Sequence, residues 1–181
     1  MTRTQATLER RKLVHEGRIF RVELDRVRLP GGQTADLEIV RHPGSVVMLP
    51  VPAQGRLILV RQYRYAIDRW IWELPAGTLK PSEDPRRAAA RECEEEIGLV
   101  PYRIERLAAF FPTPGFCDEE MTFFRCSDLR PPAADSVVRK DEDEDLEPQA
   151  FALDDVRRMV DGGEIVDLKT AVGLTLLEAR S

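Results

Sequence analysis

Apolar and polar residues alternate through RIFRVELDRVRLP (18–30) and again through ADLEIVRH (35–42), on either side of the Gly31-Gly32 pair. A period of two broken by a glycine turn predicts an antiparallel hairpin. Its polar faces place it outside the main core, as a small sheet set against a second copy of the chain. The pattern changes at His42-Pro43-Gly44. Beyond it, SVVMLPV (45–51) and RLILVRQYRY (56–65) are nearly continuous apolar runs, which reads as buried strands, and 71–74 is a further short one. From Asp84 to Ile97 the chain reads as a helix: Asp84 caps it, Pro85 suits its first turn and Gly98 ends it in a left-handed residue. Strands are predicted near 102–111, 119–126 and 147–152, and helices over 154–161 and 168–179, packed on the sheet. The expected organisation is a β appendage over residues 1–43 and an α/β domain over 44–181.

The chain has 181 residues, 43% of them hydrophobic, enough for one domain with a buried core and a small appendage. Its net charge of −5 and pI near 5.2 argue against a surface that gathers nucleic acid by bulk attraction. A phosphate ligand must therefore be held locally, by a cation or a few arginines. Cys93, Cys117 and Cys126 form no CxxC pair, and their odd number suits a reduced, cytoplasmic compartment. The first fifteen residues lack the apolar stretch of a signal peptide, and no run approaches the roughly 18 apolar residues of a membrane span.

Composition leaves the chemistry open; the helix at 84–97 narrows it. At about 100° per residue, Glu92, Glu95 and Glu96 share one face, while Ala89, Ala90, Cys93 and Ile97 form a core-facing stripe. A solvated face is the ordinary reading of such glutamates. Two effects oppose it here: all three lie at the negative end of the helix dipole, and Glu92 and Glu96 repel as an i,i+4 pair. A positive partner is expected, and clustered oxygen ligands suit Mg²⁺, with Mn²⁺ as a substitute.

The spacing carries this further. Gly77, five residues, Glu83, seven residues, Arg91-Glu92-Cys93, one residue, Glu95-Glu96, one residue, then Gly98-Leu99 resembles the signature of the Nudix hydrolases. Cys93 departs from the usual aliphatic residue and, as a small buried hydrophobe, affects packing only. The resemblance implies an α/β/α sandwich with a mixed sheet. It makes Glu92, Glu95 and Glu96 metal ligands, with Glu95 also near the chemistry, and adds the backbone carbonyl of Ala76. Glu83 and Arg91 become a structural pair holding the loop 77–82 to the helix. Gly77, without a Cβ, allows backbone to approach metal.

Flanking residues resemble the ADP-ribose pyrophosphatase branch: Glu73-Leu74-Pro75-Ala76-Gly77 enters the motif, and Thr113-Pro114-Gly115-Phe116-Cys117-Asp118-Glu119 matches that branch's Ser-Pro-Gly loop with Thr for Ser. The implied reaction is Mg²⁺-dependent hydrolysis of ADP-ribose to AMP and ribose 5-phosphate by a homodimer. Rivals are another nucleotide sugar such as GDP-mannose as substrate, and a nucleotide-sensing domain without turnover. Glu73, Pro114 and Glu119 fall in the substrate-binding set. Arg64 aligns with a phosphate-contacting arginine, against the plainer reading of a strand-end surface residue. Phe20 either stacks on the base or packs in a core. Trp70 and Trp72 read as packing or dimer residues, and neither His15 nor His42 has a convergent partner. The run Asp141 to Asp145 fails as a calcium loop, since Leu146 and Ala152 stand where Gly and Glu are needed. It resembles the family's late acidic loop, whose glutamate takes a proton from attacking water. Glu144 matches best, with Glu142 and Glu147 the neighbours to which the alignment can slip.

Overall fold

The computed structural model describes residues 5–52, 55–136 and 145–179. The chain divides into two compact units, Met1–Gly44 with Phe111–Glu120, and Ser45–Phe110 with Met121–Ser181.

In the first unit β1 (Thr7–Glu16), β2 (Arg21–Arg28) and β3 (Thr34–Arg41) form an antiparallel sheet in that order. The expected hairpin is β2 with β3, closed through Gly32. Strand β1 is an addition to it. TLERRKLVHE offers few apolar positions and every residue is exposed, so no period of two announces it. The buried face of β2 carries Glu23, Asp25 and Val27 at the strand period. Both carboxylates are ion-paired: Arg11 of β1 reaches Asp25 at 2.8 Å and Glu23 at 3.0 Å, and Arg41 of β3 reaches Glu23 at 2.8 Å and Asp25 at 3.0 Å. Arg11, by donating to Asp25, holds that carboxyl below its ordinary range. The 111–120 segment is sewn to β3, with Val40 N–H donating to Phe116 O, Asp118 N–H to Val40 O, and His42 N–H to Asp118 Oδ1.

The second unit holds β4 (Ser45–Pro50), β5 (Arg56–Arg64), β6 (Arg69–Glu73), β7 (Ala76–Thr78), α1 (Pro85–Ile97), β8 (Val100–Phe110), β9 (Met121–Arg130), β10 (Glu147–Ala152), α2 (Leu153–Asp161) and α3 (Leu168–Glu178). One sheet runs β10-β5-β6. The other runs β7-β4-β9-β8 and is mixed, because β4 and β9 are parallel. Alternate residues of the central strands feed two cores. Val46 and Met48 of β4 and Ile58 and Val60 of β5 join Ala89, Cys93 and Ile97 of α1. Val47, Leu49, Leu57 and Leu59 join Val156 of α2 and Leu174 and Leu177 of α3. This is the expected α/β/α sandwich. Asp84 caps α1 by accepting from Arg87 N–H at 3.0 Å, and Gly98 closes it at φ 69°. Among the described residues no helix is long and apolar enough to cross a membrane.

Candidate active site

Helix α1 is fixed by its Ala89–Cys93–Ile97 stripe, and that seating decides where its acids go. Glu96, at the edge of the stripe, is 7% exposed, while Glu92 and Glu95 are largely shielded. A Cβ at Gly77 would collide with the Glu92 carboxylate, so only glycine lets β7 lie this close to α1. Gly77 and Ala76 are in turn held opposite Val46 and Val47 of β4. The motif's glycine and first glutamate thus meet across two elements.

Arg91 does more than the sequence indicates. Glu95 is its i,i+4 neighbour on the helix, and its guanidinium spans the cluster. Nε and Nη2 fork onto Glu83 at 2.9 Å each, while Nη1 donates to Glu92 at 2.7 Å and to Glu95 at 2.5 Å. Glu83 also accepts from Lys80 N–H at 3.0 Å, which closes the 80–83 turn against the helix. The Arg91 hydrogen bond holds Glu83 below the usual carboxylate range. Burial acts oppositely on Glu92, pushing its carboxyl up to about 7; Arg91 pulls against this and the neighbouring Glu95 adds to it. Arg91 therefore offsets part of the helix-end repulsion, but one guanidinium is shared among Glu83, Glu92 and Glu95. Negative charge remains in excess. Among the described residues no three acidic, histidine or cysteine side chains form a ready-made ligand cage. The donor set still fits a hard divalent cation: three carboxylates on one face, one pressed against glycine backbone.

A second charged cluster lies at the end of β5. Arg64 Nε and Nη2 donate to Glu73 at 2.7 and 2.8 Å. Glu73 is 1% exposed, so it is a buried counter-ion, whereas the Arg64 side chain stays 43% exposed. Arg64 also feels the charge of Glu96 across from α1. Lys169, Asp167 and Thr170, at the start of α3, complete this cluster. No motif pointed to them; the only local cue was the cap spacing of Asp167 and Thr170.

Other predicted residues are placed separately. Phe20 is 43% exposed in the β1–β2 turn, 6.3 Å between ring centres from His15, and so is not a core residue. Pro114 is exposed in the first unit, and Glu119 lies 3.8 Å from His42 Nδ1, giving that histidine a partner the sequence did not reveal. Trp72 packs edge-on against Phe151, and Trp70 lies exposed beside Tyr63 and Arg61. Glu147 pairs with Arg61 at 3.6 Å across β10 and β5. Glu144 and Glu142 lie outside the described residues.

Comparison with known proteins agrees with this geometry. The NUDIX domain family profile matches residues 41–168. An ADP-ribose pyrophosphatase of Bacillus subtilis (strain 168) is 35% identical over 167 residues, 92% of this chain and 89% of that protein. A methanol dehydrogenase activator of Bacillus methanolicus is also 35% identical, over 91% of this chain and 88% of its own length. A crystal structure of an ADP compounds hydrolase superposes with a TM-score of 0.83 at 22% identity, covering 99% of this chain and 95% of that one, which extends the likeness in fold to nearly every residue. With the glycine, the glutamates and the arginine of the signature brought together in space, and relatives aligned almost end to end, the chain belongs to the NUDIX domain family.

Proposed function

We propose that this Nudix hydrolase cleaves the diphosphate of ADP-ribose to AMP and ribose 5-phosphate with Mg²⁺, Mn²⁺ being able to substitute. The observation that carries this is the buried carboxylate face of α1 against Gly77, with the half-exposed guanidinium of Arg64 in the field of Glu96. The name borne by the Bacillus subtilis relative supports the choice of substrate. Glu92, Glu95, Glu96 and the Ala76 carbonyl would hold the cation, which when bound neutralises diphosphate charge and polarises water. Arg64 has Nη1 and one N–H of Nη2 left over from Glu73 to fork onto phosphate oxygens. The Glu83–Arg91 pair keeps the loop 77–82 on the helix. Glu144 accepts the proton of the attacking water as the P–O–P bond breaks, and Phe20, Pro114 and Glu119 belong to the substrate-binding set.

Function as a homodimer and a cytoplasmic setting complete the proposal; the free thiols of Cys93, Cys117 and Cys126 support the latter. The test is a panel of ADP-ribose, GDP-mannose and other nucleoside diphosphate conjugates with Mg²⁺, analysed for released mononucleotide. ADP-ribose should give the highest kcat/KM, and Glu96→Gln should keep the fold while losing about 10³-fold or more in turnover. Preference for another conjugate would reassign the substrate. The name of the Bacillus methanolicus relative favours a second reading, a regulatory role; binding of nucleotide without any release of product would select it.

A further inference from the structure

Lys169 is 8% exposed, an unusual place for a lysine, and it lies 96 residues along the chain from its partner Glu73. Its ammonium donates to Glu73 Oε2, the same oxygen that accepts Arg64 Nη2, and lies 3.1 Å from Asp167 Oδ1. Asp167 caps α3, accepting from Thr170 N–H at 2.9 Å and Thr170 Oγ1 at 2.6 Å, and Thr170 Oγ1 accepts Leu74 N–H at 2.8 Å. Gly173, one turn further on, has Leu74 where a Cβ would stand, so the helix is seated directly on the segment that leads to Gly77. Two cations, Arg64 and Lys169, balance two carboxylates, Glu73 and Asp167.

A bidentate guanidinium pair requires the carboxylate plane to match the fork. Glu73 is buried, and its plane is set by the cations that hold its oxygens. Lys169 pulls on one oxygen from the α3 side, leaving both turned toward Arg64 Nε and Nη2. The outer edge of Arg64, carrying Nη1, is then the part left for a ligand. Without the ammonium, Glu73 and Asp167 would be two buried carboxylates sharing one guanidinium. They would pull Arg64 inward and turn its free N–H groups away from the diphosphate.

We infer that Lys169 is a positioning residue for substrate binding: through Glu73 it fixes the direction in which Arg64 presents its free N–H groups to the diphosphate. This rests on the proposed contact between Arg64 and the substrate. The helix α3, which carries no motif residue, thereby becomes part of the binding apparatus.

Steady-state kinetics of the full chain on ADP-ribose with saturating Mg²⁺ tests it. Lys169→Met should raise KM about tenfold while kcat changes less than about threefold, because the lost interaction is with bound diphosphate in ground and transition states alike. Lys169→Arg, which keeps a cation between the two carboxylates, should restore KM to within about threefold of the parent. In the Arg64→Ala background Lys169→Met should add no more than about twofold. If Lys169→Met does not fold, Lys169→Gln takes its place with the same expectations. An Arg64→Ala protein with normal KM would defeat the assignment of Arg64 to the substrate. A raised KM in Arg64→Ala, with Lys169→Met and Lys169→Gln at parental KM or multiplying independently with Arg64→Ala, would overturn the positioning role alone.

Discussion

A glutamate that is hard to ionise sits at the centre of the cluster. Glu92 titrates near 7 in the folded chain and near 4.5 in an ordinary setting, chiefly because it is buried. Between those values the unfolded chain has released this proton and the folded chain has kept it, so stability falls as pH rises through that window and stays lower above it. Each unit of difference is worth about 1.4 kcal/mol. Metal-free Glu92→Gln should therefore melt higher than the parent at pH 8 and close to it at pH 4.5. Parallel melting curves from pH 4.5 to 8 in the presence of a chelator would contradict this. Adding Mg²⁺ at pH 8 should raise the Tm of the parent more than that of the variant, which lacks one of the three carboxylates that would hold the cation.

At the level of elements, the bounds, the caps and the Ala89–Cys93–Ile97 stripe of the signature helix were legible, because each is encoded within a turn or two, whereas the burial of Ala88 in place of Ala90 is set by how the helix seats on the sheet. The strands of the main sheet were legible for the same reason, their apolar runs being short and bounded. What escaped were features set by partners distant in sequence. Strand β1 has no apolar period of its own and forms only because β2 offers it an edge and its carboxylates offer Arg11 a counter-ion. Strand β7 is only three residues long, Ala76–Thr78, too short for a period of its own, and is set by its pairing with β4. In the proposed reaction the acidic run before β10 supplies the proton acceptor. Glu147, one of its three candidates, stands exposed at the start of β10, 3.6 Å from Arg61 on β5. Glu144→Gln should lower kcat by about 10² to 10⁴ with little change in KM or metal affinity. Glu142→Gln and Glu147→Gln alter the same net charge and should be nearly silent. Equal small losses in all three would reduce the run to a solvated loop, and a large loss at Glu142 alone would shift the assignment by two residues.

The whole molecule raises a question of sufficiency. Among the described residues of the first unit, Val27 is the only apolar side chain that is buried, its other interior positions being the ion-paired Glu23 and Asp25. Meanwhile Leu8, Leu13, Val14, Ile19 and Phe20 are each 43–60% exposed. Buried ion pairs contribute little net stability once desolvation is counted, and a three-stranded sheet needs an apolar face covered to persist. A second copy of the chain would supply that cover through a self-complementary contact of about 1,200–2,000 Å² in total. The full-length protein should therefore sediment as a dimer at micromolar concentration. Leu13→Arg combined with Phe20→Asp should shift it toward monomer and raise KM for ADP-ribose, while the Tm gain on adding Mg²⁺ remains, since the carboxylates of α1 belong to the other unit. A parent chain that is monomeric at that concentration and turns over normally would remove the dimer from the proposal. A dimer whose dissociation leaves KM unchanged would confine the first unit to assembly and take Phe20 out of the substrate-binding set.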